Sequence, residues 1–314
     1  MDPNLLYWRS QGQSFFSRLR IWCNLLDPSS LLASDAEIQK ARSLLVSGEK
    51  PNEEDEHAWT LSLSSVHADS GAVIPTVFRP PALLPISAPL VVASLVPHRG
   101  VTPALFWQFL LQSYSAGFNY TNRNSSSEQG QKPSLKQALL VVGAVAYATC
   151  AGAVPQIVIH RLGISAVPLQ VFFRSILPIP LSAALASFNM YTIRSEESEN
   201  GIQVFDSKGN PVGISKAAGE KAVRDTALSR AALLGTTAAV PNLLFFFLQR
   251  TRLFQRNSLL ATPVRHMSAA IVLGLMIPVS FSLFPQLGTI ERENLEKELQ
   301  DAAVDGHLFY HRGL

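Results

Sequence analysis

From Ala138 to Ile159 the chain reads ALLVVGAVAYATCAGAVPQIVI, 22 residues without an Asp, Glu, Lys or Arg. A hydrocarbon core about 30 Å thick is crossed by roughly 20 apolar residues in helical form, because a helix satisfies its backbone N–H and C=O groups within its own segment. A stretch of this length without charge is therefore read as a transmembrane helix. Windows at about 173–193, 229–249 and 266–286 open on Arg174, Arg230 and His266 and then carry no further Asp, Glu, Lys or Arg. The overall balance agrees: 16% of residues are charged, against about 25% in soluble domains.

Two further segments are less regular. Residues 101–120 are uncharged, but Gln108, Gln112, Ser113, Ser115 and Asn119, with Asn122 just beyond, give the helix a polar face. Lipid cannot satisfy those groups, so this span is expected to face the bundle interior. Residues 80–98 carry Pro80, Pro81, Pro85, Pro89 and Pro97. Each removes a backbone donor, which argues for a re-entrant segment packed against protein. The expected fold is thus an all-α multi-pass integral membrane protein with about five transmembrane helices. An amphipathic N-terminal region (1–79) precedes the membrane domain (80–290), and a C-terminal tail (291–314) follows it.

Within the polar loop 194–226, the alternating runs IQVF and PVGI flank Asp206–Asn210 and read as a β-hairpin with a glycine-bearing loop. Ala144, Ala148 and Gly152 recur at four-residue spacing, a pattern that lets helices approach closely. Pro241 and Pro278 fall inside spans, where a proline produces either an ordinary kink or a broken helix that binds substrate at membrane depth. If the spans start near residue 100, the N-terminal region shares a side with the loop at Arg161 and the basic loop Arg250 to Arg265. Counting 80–98 as a crossing reverses that.

Several functions are excluded. The 26 basic residues are scattered, with no nucleic-acid footprint. Cys23 and Cys150 are too few for a disulfide framework, and iron–sulfur clusters or structural zinc need about four ligands. No metal site or cofactor is expected, and the two thiols are read as free and buried. No phosphate loop or nucleophile–base arrangement suggests an enzyme. Residues 5–26 form an Arg-bearing amphipathic stretch without a secretory signal, so targeting information is expected to be internal.

The run TPALFWQFLLQSYSAGFNYTNR, Thr102 to Arg123, resembles the sideroflexin family, in which a Trp-Gln pair (Trp107, Gln108) precedes Gln-Ser (Gln112, Ser113) and Asn-Tyr-Thr-Asn-Arg (Asn119 to Arg123). Gln13-Ser14-Phe15, Asp27-Pro28, Ala41-Arg42, Asp206 to Gly213 and Leu283 to Gln286 follow the family order, so the resemblance covers essentially the whole chain. His67-Ala68-Asp69-Ser70 replaces the family's His-Pro-Asp-Thr, and Asn189-Met190-Tyr191 replaces Asn-x-Pro, which resembles a divergent branch. The resemblance implies the mitochondrial inner membrane and transport of small neutral amino acids, with the departures pointing away from serine itself. The branch also implies an alternative: a non-transporting factor that partners complex I assembly factors, with effects on iron homeostasis and iron–sulfur biogenesis.

Amides can bind a zwitterion because they supply donors to a carboxylate and acceptors to an ammonium without fixed charge. Gln108, Gln112, Asn119, Asn122 and Asn189 are therefore the candidate substrate-binding residues, with bonds to neighbouring helices as the alternative role. Arg123, Arg174 and Arg194 sit at span ends, where arginines snorkel to lipid headgroups, the expected membrane partner. His67 and Asp69 do not make a metal site on their own and are read as a turn held by the Asp69 side chain. Asn119-Tyr120-Thr121 and Asn124-Ser125-Ser126 match sequons, which stay unmodified in a mitochondrial protein.

Overall fold

The computed structural model describes residues 1–47, 53–96, 98, 100–124, 135–248, 250–251 and 261–314. Pro97, Ser125 and Ser126 of the second sequon, and most of the basic loop between Arg250 and Arg265 lie outside the described residues.

Helices α1 (Pro3–Gln11) and α2 (Phe15–Leu25) each start on a side-chain cap. Asp2 accepts from Asn4 N at 2.9 Å, and Ser14 accepts from Ser17 N at 3.1 Å, satisfying amides with no intrahelical partner. Helices α3 (Asp35–Ser47) and α4 (Glu53–Ser65) follow. In the proline-rich segment, 3-10 turns at Thr76–Phe78 and Pro80–Ala82 precede α5 (Leu83–Leu95), which stays helical through Pro89. Then come α6 (Val101–Thr121), α7 (Leu135–Arg161) and α8, continuous over Val167–Ile193. The short α9 (Ser195–Asn200), the long α10 (Lys216–Leu248) and α11 (Ala261–Ser282) complete the bundle.

Among the described residues four helices are long and apolar enough to cross a membrane: α7, α8, α10 and the Pro263–Ser282 part of α11. Helix α6, with 21 residues, has the length of a fifth span; its amide-bearing face lowers its hydropathy below that of the other four. Leu139, Val142, Tyr147, Leu243, Phe247, Ile271 and Leu275 point outward and exposed, as a lipid-facing belt requires. Cys150 shares the exposed surface of α7 and Cys23 that of α2, so the expected burial of the two thiols is not observed. Helix α10 is 33 residues long, roughly 50 Å at 1.5 Å per residue, and its charged first half extends past the apolar zone.

The chain stays helical through Pro241 and Pro278. The irregularity lies instead in α8, where a π-turn at Phe172–Ile176 precedes Pro178 and Leu177 N bonds Phe172 O at 2.9 Å. Proline at position 178 removes the donor that would bond the Arg174 carbonyl. Helices α8 and α10 approach closely, because a Cβ on Gly235 would lie 3.3 Å from that of Ala183.

The N-terminal region and the C-terminal segment meet at one end of the bundle. Trp22 packs edge-on against Phe281, with ring centroids 4.9 Å apart, and Arg18 Nε donates to Ser282 O at 3.0 Å. These contacts place the N-terminal helices at the Ser282 end of α11. Asn122 at the end of α6 donates to Phe78 O at 2.9 Å, and Gln156 near the end of α7 donates to Ser94 O at 2.9 Å.

Strands β1 (Ile202–Phe205) and β2 (Pro211–Ser215) form the expected hairpin. Asp206 organises its turn by accepting from Lys208 N and Asn210 N, and Gly209 adopts φ +85°. The last residues are not a free tail. Strands β3 (Leu287–Glu291) and β4 (His307–His311) extend the hairpin into an antiparallel sheet of order β2-β1-β4-β3. Glu296 from this segment caps α10, its carboxylate accepting from Lys216 N at 2.7 Å and Ala217 N at 3.1 Å.

A buried polar cluster holds this end together. Arg194, 0% exposed, donates to both Glu197 oxygens at 2.5 and 2.6 Å, to Thr226 Oγ1 at 3.1 Å and to Arg312 O at 2.6 Å. Glu197 also accepts from Asn124 Nδ2 at 2.9 Å. Removing one partner of such a pair strands a buried charge. Glu197→Ala is expected to cost about 3–5 kcal/mol, read as a lower midpoint of thermal unfolding in detergent; an unchanged midpoint contradicts this assignment.

Candidate functional site

A cavity of about 420 Å³ lies between α5, α6, α7, α8 and α10, with Arg265 of α11 at its edge. Three of the amides expected from the sequence, Gln108, Gln112 and Asn189, line it. Gln108 and Gln112 make no hydrogen bond to the described protein atoms, and the buried Asn189 Oδ1 has no partner among them. Gln108 lies across Gly152, where a Cβ would come within 2.6 Å of its Oε1. The small residue thus makes room for a functional group as well as for a helix, while Ala144 and Ala148 are simply buried in packing. A buried acceptor without a donor is costly in an apolar interior, and a bound polar ligand would satisfy it.

The other two amides lie elsewhere. Asn122 is buried outside the cavity, donating to Phe78 O and Phe118 O, each at 2.9 Å. Asn119 is buried outside the cavity lining. The arginines also divide. Arg194 belongs to the buried cluster, and Arg123 pairs with Glu196 at 3.0 Å and lies over the Tyr120 ring at 4.1 Å. Arg174, on the π-turn, is exposed where the cavity opens.

Sequence reasoning missed Arg265, Gln156, His98 and His160, all of which line the cavity. Gln156 carried a signal as the one amide in the charge-free 138–159 window. Its Nε2 donates to Ser94 O and its Oε1 lies 3.5 Å from His98 N, tying α7 to the chain that follows α5. Arg265 was set aside as a flanking residue by starting its span at 266. Its Nη2 donates to Arg174 O at 2.9 Å, the carbonyl that Pro178 leaves without its helical donor.

The cavity opens where His160, Gly163 and Arg174 are exposed, at the Arg161 end. It ends at Asn189, below Met190 and Ile193, both 0% exposed. Arg174 and Asn189 are 15 positions apart on α8, about 22 Å at 1.5 Å per residue. The site is therefore elongated, with a basic mouth and an amide-lined interior. Among the described residues its lining holds two arginines, Arg174 and Arg265, and no Asp or Glu.

His67 and Asp69 lie at the opposite end. The His67 ring contributes to holding the turn: Nδ1 accepts from Asp69 N at 3.3 Å and Ser70 N at 3.2 Å, while Nε2 donates to Arg123 O at 2.6 Å. Among the described residues no three His, Cys, Asp or Glu side chains gather as a metal site would need. The His67 ring meets that of His311 edge-on at 6.5 Å.

Burial holds the His311 ring well below the usual histidine range, with His67, Arg194 and Arg312 adding repulsion. His311 is thus neutral when folded, Nδ1 bonding Asn124 Oδ1 at 3.0 Å and Nε2 accepting from Gln286 at 3.2 Å. Below about pH 6.5 the unfolded chain binds a proton there that the folded chain refuses, so stability falls as pH falls. The expected slope is up to about 1.4 kcal/mol per pH unit, seen as a lower unfolding midpoint at pH 5.5 than at 7.5. His311→Asn should flatten that dependence, and an equal slope in the variant contradicts the assignment.

Comparison with known proteins fits this architecture. A family model described as sideroflexins matches residues 4–314. Sideroflexin-4 of Danio rerio is 55% identical over 317 residues, spanning 100% of both chains. Sideroflexin-4 of Bos taurus is 38% identical over 320 residues, again spanning 100% of both. Sideroflexin-5 of Homo sapiens is 30% identical, covering 98% of this chain and 91% of its own. No solved structure matches.

Proposed function

The chain belongs to the sideroflexin family, and on that premise we propose that it is a carrier of small neutral amino acids in the mitochondrial inner membrane, acting on that class rather than on serine in particular. One observation carries the reading: Gln108, Gln112 and Asn189 face a cavity of about 420 Å³ without protein partners for their exposed or orphaned amide atoms. That volume suits a small ligand. Amides can receive both poles of a zwitterion and do not trap it with fixed charge.

The shape supports a carrier rather than a pore. The exposed lining residues lie at one end, and beyond Asn189 at the other the chain is buried at Met190 and Ile193, with Gln137 Nε2 bonding Ile193 O at 2.5 Å. A single-sided cavity inside a helical bundle is what alternating access uses in one of its two states. The π-turn in α8 and Pro178 supply irregular backbone beside the site, where helices most readily change curvature.

Purified full-length protein in liposomes is expected to take up labelled small neutral amino acids above empty vesicles. Gln112→Leu is expected to lower uptake at least tenfold, the loss of about 1.5 kcal/mol or more of hydrogen bonding, while the variant stays folded. Absence of uptake across a broad amino-acid panel overturns the carrier reading. Stalled complex I assembly in mitochondria lacking the protein, with amino-acid uptake intact, would instead favour a non-transporting assembly factor.

A further inference from the structure

We propose that Arg265 makes the cavity selective for carboxylates: a ligand must bring an acid group, and its ammonium is dispensable. The inference rests on reading the cavity as the ligand site and goes beyond it in naming which pole of the ligand is recognised at entry.

Arg265 is half-buried at the cavity edge, and its Nη2 is held by Arg174 O at 2.9 Å and lies 3.4 Å from Ser175 Oγ. That anchorage fixes the guanidinium plane and leaves Nε and Nη1 without acceptors among the described residues. A planar guanidinium with a free edge matches a carboxylate in shape and charge. Arg174 adds a second positive charge at the same mouth, and among the described residues no Asp or Glu lines the cavity. A small organic acid entering here exchanges water for fixed donors. A small amine meets two like charges and no counter-ion, and charge without compensation is costly to bury.

Spacing separates this role from that of the interior amides. Arg174 and Asn189 are about 22 Å apart along α8, farther than one small amino acid reaches. Arg265 therefore acts at entry, and the orphaned Asn189 Oδ1 waits deeper for a donor from the ligand.

The test uses three ligands of matched size on the purified full-length protein: L-alanine, L-lactate, which has no ammonium, and ethylamine, which has no carboxylate. Binding is followed by thermal stabilisation in detergent. L-alanine and L-lactate are expected to bind and ethylamine to be at least tenfold weaker. Arg265→Gln should weaken both acids at least tenfold and reduce the salt dependence of their binding to the part that Arg174 supplies, while Arg265→Lys should retain more of it. Ethylamine binding as well as L-lactate, acids bound equally by Arg265→Gln, or no binding of either acid would overturn the inference. The series on unaltered protein decides the matter even if Arg265→Gln does not fold. Acid-selective binding without flux in liposomes would defeat the carrier reading alone. Flux of L-alanine equal in wild type and Arg265→Gln would defeat this inference alone.

Discussion

Arg194 sits fully buried at the end of α8, where it reaches Glu197 on α9, Thr226 on α10 and the Arg312 carbonyl beyond β4. No water reaches this guanidinium, so each donor needs a protein acceptor, and the acceptors come from distant parts of the chain. The cluster therefore fixes how the span ends, the sheet and the C-terminus meet. Gly219 belongs to the same constraint: a Cβ there would collide with the Glu197 carbonyl. Because this end is locked, the bundle can be open at the other end without falling apart, and the cavity lies in that open half.

The opposition between the two ends has a chemical logic. At the sheet end, polar pairs tie separate elements together: His67 with Arg123 O, His311 with Asn124 and Gln286, Arg123 with Glu196. In the cavity, Gln108 and Gln112 line the wall without hydrogen bonds to the described residues, and Arg265 Nε and Nη1 have no acceptor among them. The pairing also explains why motif residues close in sequence have different roles. Gln112 and Asn122 lie on one helix, yet Gln112 faces the cavity and Asn122 anchors the Phe78 carbonyl.

The spans were legible because a charge-free stretch of about 20 residues has few alternatives to a helix in lipid, and the hairpin was legible from Asp206 and Gly209. The C-terminal strands were not, since Leu287–Glu291 and His307–His311 are short, lie apart in sequence and gain meaning only from pairing with each other and with Ile202–Phe205. For the site, residue type identified the right class of side chain, an uncharged amide. Which amides face the cavity depends on helix rotation, which packing sets and composition does not reveal. Arg265 was hidden for a related reason: an arginine near a span end reads as a lipid anchor until its bond to the Arg174 carbonyl, which lacks its proline-removed donor, is seen.

The most direct measurement of the central claim is a map of the full-length protein in lipid nanodiscs with saturating L-alanine, compared with one recorded without it. The account predicts added density in the cavity between α6, α7 and α8, within hydrogen-bond reach of Gln112 or Asn189. Unchanged density in that cavity, or ligand density at any other place on the protein, would contradict it.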